Sequence, residues 1–426
     1  MNKEEKIVPQ LRFPEFEKEW KLTKLKNVVE LLSGYAFKDL TYIKGGRKLL
    51  IPKNFTNFGY ASFNNENTKY TSQNPDSKYK CKNGDLLILL TDLTPSCELL
   101  GKPLFLLEKD GEVLLNQRIS KVITSDKIYS RFLLYFFLTD AFHKRIKNTA
   151  TGSTVKHSSN KIILNSPISL PTKKEQQKIA ACLSSLDEVI TAESEKLDLL
   201  QDHKKGLLQQ LFPAEGETQP KFRFPEFKDD GDWEETTLGE LAKFRRGSFP
   251  QPYGLEEWYD DENGMPFIQV YDVDTNLKIK PKTKRLISEL AAQQSVFIEK
   301  GTVIITIQGS IGRVAITQYD AYIDRTLLLF QKFYKATDKL FFAYVIQMLF
   351  EIEKQKAPGG IIKTITKEVL TSFVIKLPKI QEQQKIAACL SAADELIEAQ
   401  AQKIEALQAH KKGLLQQLFP SLNDEL

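Results

Sequence analysis

The chain has 426 residues, 41% hydrophobic and 27% charged, which suits a soluble globular protein of more than one domain. It contains no 18-residue apolar run, no apolar segment behind the charged start MNKEEKIVPQ, and no C-x-x-C among Cys81, Cys97, Cys182 and Cys389. These features argue against a membrane span, a secretory signal, a zinc cage and a disulfide framework, and make a reducing cytoplasm the expected setting. With only four histidines, histidine-based metal catalysis is close to excluded, and the net charge of +5 is unevenly spread. Residues 1–171 hold 27 Lys and Arg against 17 Asp and Glu, whereas residues 214–378 hold 22 against 24. The basic first stretch suits a polyanionic partner such as nucleic acid.

In chain order, RFPEF at 12–16 and Trp20 open a segment with β-type runs at LLILL (86–90) and KPLFLLE (102–108). NGD (83–85) and KDGE (109–112) mark turns between them. An aromatic-rich helix is expected over 129–147, its apolar residues serving as core. Pro171 and Pro213 then bracket a proline-free stretch that reads as one helix over 175–212. Its heptad positions are Leu183, Leu186, Ile190, Glu193, Leu197, Leu200, Lys204, Leu207 and Leu211, seven of nine being apolar. RFPEF returns at 223–227 with Trp233, and β-type runs follow at FIQVYDV (267–273), TVIITI (302–307), RVAIT (313–317) and TLLLFQKF (326–333). A second aromatic-rich helix is expected over 338–356. The last long helix places Leu390, Ala393, Ile397, Gln400, Ile404, Leu407, Lys411, Leu414 and Leu418 on its seam, with polar interruptions at the same two layers.

The chain is thus written twice. EQQKIAACLS at 175–184 recurs letter for letter at 382–391, and HKKGLLQQLFP at 203–213 recurs at 410–420, both at an offset of 207. The intervening segments are mostly unlike each other. Even so, Gly152 meets Gly359, Lys156 meets Lys363, Arg118 meets Arg325 and Leu170-Pro171 meets Leu377-Pro378 at the same offset. One fold, copied and then altered, explains shared spacing with divergent content. The simplest way to bury two such apolar stripes is against each other; the sequence does not set their direction, but the large domain between the copies makes an antiparallel pair easy to close. The fold class expected is α/β (α+β): two tandem, pseudo-repeated mixed α/β domains separated by two long helices in a coiled coil. The boundaries expected are 1–172, 173–213, 214–378 and 379–426.

Catalytic signatures are missing. There is no G-x-x-x-x-G-K-[ST] loop, no N-P-P-Y motif for amino methylation, no G-x-S-x-G elbow, and Pro75-Asp76 lacks a following acidic-x-Lys triplet. A binding subunit is the better reading than an enzyme.

Two divergent segments separated by near-identical helices, with the phrases EQQKIAACLS and HKKGLLQQLFP, resemble the specificity (S) subunit of type I restriction–modification systems. The resemblance covers essentially the whole chain. It implies that each variable segment is a target recognition domain reading one half of a bipartite, asymmetric site in double-stranded DNA. It implies that the helices set the gap and dock two methyltransferase (M) subunits, with two motor–nuclease (R) subunits joining. It also implies that this chain binds no cofactor, S-adenosylmethionine belonging to M, and ATP and magnesium to R. The competing classes are a coiled-coil scaffold that touches no DNA and a standalone nuclease with an unrecognised site.

Lys156 and Lys363 sit in glycine-containing polar stretches with Gly152 and Gly359, which fits a shared phosphate contact. Arg118 and Arg325 read either as DNA contacts or as structural ion pairs, and their strand-like apolar context favours the ion pair. Base readers should differ between the halves, so they are sought in polar–aromatic loops: Tyr35, Lys38, Lys53, Asn54 and Asn57 in the first, and Arg245, Arg246, Gln251, Gln269 and Tyr271 in the second. Because the second segment is slightly acidic, its basic residues must cluster, as Lys243, Arg245, Arg246 and the run Lys278 to Arg285 could. For docking, identity beyond the seam residues Leu183, Leu197, Leu390 and Ile404 singles out Gln176, Gln177, Lys204 and Lys205. Their copies are Gln383, Gln384, Lys411 and Lys412.

Overall fold

A computed structural model describes residues 8–37, 45–92, 96–152, 156–356, 365 and 367–420. The chain forms two compact units, Met1–Ser194 with Gln402–Leu426, and Glu195–Ala401. Each long helix, Lys173–Leu211 and Ile380–Leu418, therefore contributes its first half to one unit and its second half to the other.

In the first unit, an antiparallel sheet has the order Val29–Ser33, Ile119–Thr124, Leu86–Leu89, Pro103–Phe105. A second sheet runs Lys69–Thr71, Arg47–Leu50, Val113–Leu115, Lys80–Cys81, with its two central strands parallel. A two-stranded ribbon joins Lys21–Lys24 to Pro167–Leu170, next to the start of the long helix. The second unit repeats this arrangement strand for strand. Its first sheet is Ala242–Arg246, Leu327–Phe333, Val303–Thr306, Val314–Ile316. Its second is Arg285–Ile287, Met265–Ile268, Ala321–Ile323, Val296–Ile298, again with a parallel central pair. Its ribbon is Glu234–Thr237 with Val374–Leu377.

The strand-forming runs are those the apolar patterning marks. Leu86–Leu89 and Val303–Thr306 are buried along their whole length, as continuous apolar strands should be. Two expectations need correcting. The stretch 129–147 is not one helix but two, Ser130–Phe137 and Asp140–Asn148, because Thr139 turns extended and its hydroxyl accepts the Phe142 N–H as a fresh N-cap. The FIQVYDV strand stops at Ile268, where Val270–Asp272 makes a 3-10 turn.

Each core is completed by the far end of the other repeat's helix. In the first unit, Leu415, Leu418 and Phe419 pack with Trp20, Phe132 and Leu183, and the Phe419 ring lies 5.1 Å from that of Phe132. In the second, Leu211 and Phe212 pack with Trp233, Ile386 and Leu390, and Phe212 stacks 5.4 Å from Phe341. The helix segments run antiparallel within each unit. Lys403 and Lys411 meet Glu193 and Asp187 in reverse order, the former at 2.6 Å, and Lys204 meets Asp394. The seam residues Leu183, Leu390 and Ile404 are buried and Leu197 half-buried, as heptad spacing requires.

Candidate nucleic-acid interface

The site in each unit is built where the end of a first-sheet strand meets a tight turn. Gly34, after Val29–Ser33, and Gly247, after Ala242–Arg246, have no room for a side chain. A Cβ would lie 2.0 Å from the Asn116 carbonyl oxygen in one and 2.3 Å from that of Ile323 in the other. This closeness lets the Gly34 N–H donate to Ile119 and the Gly247 N–H to Leu327, both at 3.0 Å. The next loop is thereby laid over the turn at Asn116–Arg118 or Asp324–Thr326.

A second loop arrives from the other sheet. Its backbone is held by a buried side chain, since Asn54 Oδ1 accepts the Ile51 N–H at 2.8 Å and Asp272 Oδ2 accepts the Gln269 N–H at 2.9 Å. Both residues are fully buried. Lys53 and Tyr271 stand one residue earlier in these matching turns, exposed in both cases.

In the second unit, the loops border an open, shallow cavity of about 440 Å³ lined by Gln251, Tyr253, Gln269, Tyr271, Asp324 and Arg325, among others. Gln251, Gln269 and Tyr271, chosen from polar–aromatic loops, therefore converge with Arg325, chosen from the repeat offset. The Arg325 guanidinium lies over the Tyr253 ring, 4.7 Å from its centroid. The Tyr253 hydroxyl donates to Asp324, and the Tyr271 hydroxyl donates to Gln269. Burial pushes both phenols up, Tyr271 to about 12 with the Asp272 charge assisting, and Tyr253 further with Asp324 assisting. Both remain protonated donors at neutral pH. Two cations lie nearby: Lys284 Nζ sits 5.0 Å from the Tyr271 ring centroid, and Arg285 lies over Tyr259 at 3.9 Å while pairing with Asp261 at 3.6 Å. Part of the expected cluster over Lys278 to Arg285 is thus beside the cavity, although Lys278 itself pairs with Glu398 at 2.6 Å. Arg245 and Arg246 are exposed at the end of the strand leading into Gly247.

The first unit places Tyr35, against Phe37 at 5.0 Å and Tyr79 at 5.4 Å, in the loop that follows Gly34. Asn57 is exposed, and Lys38 lies outside the described residues. Asn54 is corrected from a base reader to a structural residue. Its amide, fully buried, holds Ile51, Ser62 and Asn67. Arg118 is exposed and makes no ion pair among the described residues, contrary to the structural pairing expected; Arg325 likewise is exposed. The two arginines share a turn but not a position in it. The Arg118 carbonyl accepts from Leu90 and the Thr326 carbonyl from Ile307, which makes Thr326 the counterpart of Arg118. Lys156, half-buried, pairs across a short ribbon with Asp92, and the neighbouring Ser158 N–H donates to Leu90. Lys156 is thereby brought to the same edge as Arg118. Gly152 has a positive φ of 101°, which suits glycine, while Gly359 and Lys363 lie outside the described residues.

On the helices, four of the docking candidates face inward. Gln176 is buried, accepting the Tyr129 N–H at 2.8 Å and donating to the Lys127 and Pro171 carbonyls at 3.1 Å. Gln383 repeats this with Asp338, Ala336 and Pro378. Both tie a domain to its helix. Lys204 and Lys411 lie in the seam, paired with Asp394 and Asp187. Gln177, Lys205, Gln384 and Lys412 are exposed, Lys412 lying 3.4 Å from Asp140.

Two repeated clusters of contacts were not anticipated from the sequence. Arg12 grips Glu175 in a bidentate pair at 2.7 and 2.9 Å, and Arg223 grips Glu382 at 2.9 and 2.8 Å. Tyr135, Asp187 and Lys411 form a buried group matched by Tyr344, Asp394 and Lys204, each tyrosine donating to its aspartate and lying under its lysine. The arginines open the repeated RFPEF phrases, at a spacing of 211, but their glutamate partners were not legible; the tyrosines, at 209, fall outside the 207 offset of the helices.

Among the described residues, no group of three His, Cys, Asp or Glu could hold a metal, and no helix is long and apolar enough to cross a membrane.

Two copies of one scaffold thus carry unlike polar surfaces at matching positions. The family described as type I restriction modification DNA specificity domain matches residues 17–202 and 230–409, and the chain belongs to this family. It is a type I restriction–modification specificity subunit with two target recognition domains, the non-catalytic component of such a system. It is 26% identical over 328 residues to the putative MjaX specificity subunit of Methanocaldococcus jannaschii, covering 75% of this chain and 72% of that one. It is 23% identical over 388 residues to the EcoBI specificity subunit of Escherichia coli, covering 86% and 77%. The solved S subunit from M. genitalium shares the fold with a TM-score of 0.59 at 14% identity, covering 98% of this chain and 100% of that one.

Proposed function

We propose that the recognition domains, residues 1–172 and 214–378, each read one half of a bipartite, asymmetric target in double-stranded DNA. The observation that carries this is the strand-for-strand repetition of one scaffold with unlike side chains at matching loop positions, Lys53 against Tyr271 and Arg118 against Thr326. A non-palindromic target needs two different readers. In this reading, Lys53, Arg118, Lys156, Arg245, Arg246, Lys284 and Arg285 face phosphates or bases, and the tyrosines and glutamines of the loops face base edges. The long helices hold the gap between the half-sites. Their exposed repeated residues, Gln177 and Lys205 with Gln384 and Lys412, face two copies of a methyltransferase subunit.

Two motor–nuclease subunits complete the assembly, which works in the cytoplasm. S-adenosylmethionine sits on the methyltransferase, and ATP and magnesium on the motor. This chain supplies the address.

The test is DNA affinity of the assembled methyltransferase as a function of salt. Binding that neutralises six or more phosphates should weaken by roughly 10³-fold or more between 50 and 200 mM salt. Weak binding that does not respond to salt would instead indicate a scaffold that touches no DNA.

A further inference from the structure

We propose that Arg325 reads a guanine in the half-site assigned to the second unit. This rests on the reading of that unit as a DNA-recognition domain.

Arg325 is exposed at the mouth of the cavity, and its guanidinium is stacked on the Tyr253 ring at 4.7 Å. The ring contact limits where the fork can sit. Its nearest acidic neighbour in sequence, Asp324, is already engaged. That carboxylate accepts from the Tyr253 hydroxyl, from the Thr326 N–H at 2.8 Å and from the Thr326 hydroxyl at 2.5 Å. Among the described residues Arg325 makes no ion pair, so its N–H edge is presented without a protein acceptor. A guanidinium donates five hydrogens and accepts none. Across the major groove only guanine offers two adjacent acceptors, O6 and N7, to such a fork. Adenine pairs its acceptor with a donor, and cytosine offers a donor there.

The neighbours agree in sign. The Gln269 side-chain oxygen is taken by the Tyr271 hydroxyl, which leaves its NH₂ as a donor facing the same cavity. Lys284, on Tyr271, adds positive charge nearby. The Arg325 guanidinium and the glutamine amides, set among aromatic rings, suit an acceptor-rich base edge. The first unit carries Gln117 at the position that matches Arg325 and is not assigned the same base.

The experiment co-expresses the methyltransferase partner with the wild-type chain, Arg325→Ala or Arg325→Lys, and sequences the methylome. Replacing residues 214–378 with another recognition domain identifies the half-site that the second unit reads. That half-site should contain at least one guanine position that Arg325→Ala relaxes, with the other half and the gap unchanged. Because complete loss of methylation in Arg325→Ala would leave its folding in question, competition binding gives a second reading. The wild-type assembly should prefer guanine over adenine at that position by about 5- to 150-fold. Arg325→Lys should bind with most of that preference lost. A wild-type motif that both variants keep in full, or a second half-site without guanine, overturns the inference alone. Absence of any split motif with the wild-type chain overturns the reading of the unit beneath it, and this inference with it.

Discussion

Removing seven residues from each long helix, 194–200 and 398–404, is expected to shorten the gap between the two half-sites by about three base pairs while leaving both half-sites unchanged. Each helix is continuous through the point where the chain passes from one unit to the other, Ser194 to Glu195 in the first and Ala401 to Gln402 in the second. Seven residues make one heptad, so the deletion keeps the apolar positions in phase and the antiparallel seam can re-form. The chain loses about 10 Å of helix at 1.5 Å per residue, equivalent to about three steps of 3.4 Å along DNA. The pairs Lys403–Glu193 and Lys278–Glu398 are lost with the deleted segments, but their lysines are about half-exposed and such pairs are worth little. Methylome sequencing of cells carrying the shortened chain reads the result. An unchanged gap would remove the helices' role as a ruler, and a changed half-site would mean that the domains do not read independently.

The largest loss of stability is expected at Asp187. Its carboxylate is buried, pairs with Lys411 and accepts from Tyr135 at 2.7 Å and Tyr60 at 3.1 Å. Lys411 is only 5% exposed. Asp187→Ala would strand that ammonium and both phenols without their acceptor, at a cost of about 3–5 kcal/mol. Burial and the Asp187 charge push the Tyr135 phenol up, so in the wild-type chain it is the protonated donor of this group. Asp187→Ala/Lys411→Met should recover most of the loss, because no unpaired charge remains buried. Thermal and denaturant unfolding of the full chain and its variants measure both effects. A fall below about 1 kcal/mol for the single variant would show that the pair is hydrated and not structural.

The second group of this kind, Tyr344–Asp394–Lys204, shows how the repeat builds the fold. In each unit the aspartate comes from the first half of one long helix and the lysine from the second half of the other. The repeated phrases are therefore exchanged between repeats. HKKGLLQQLFP at 410–420 completes the core of the first unit, and its copy at 203–213 completes that of the second. The lysines in these phrases interrupt an apolar seam, and the structure supplies the reason in the opposing aspartates.

The helices and their pairing were legible because their heptads and their offset of 207 are strict. The shared domain topology was legible only in part, since loops of unequal length shift the alignment. Leu86–Leu89 corresponds to Val303–Thr306 at an offset of 217, and Ile119 to Leu327 at 208. A fixed offset therefore paired Arg118 with Arg325, one residue away from its structural partner Thr326, and could not pair Lys53 with Tyr271. The candidate loops of the second unit were legible from their mixture of Gln, Tyr and Arg. Their convergence on one cavity was not, because it depends on Gly247 approaching the Ile323 backbone too closely for any side chain. Burial misled at Asn54, Gln176 and Gln383, where a polar letter in a repeated or loop segment proved to be an internal hydrogen-bond hub. Such residues look like surface until the backbone groups they satisfy are known.

The central claim is that this chain alone addresses a methyltransferase to one split, asymmetric DNA site. The most direct measurement is methylome sequencing of host DNA after co-expression of the chain with its methyltransferase partner, with and without the chain. Adenine methylation at a single two-part motif, dependent on the chain and altered in one half only when residues 12–171 are exchanged, is the predicted result. A stable complex that methylates no such motif would contradict it.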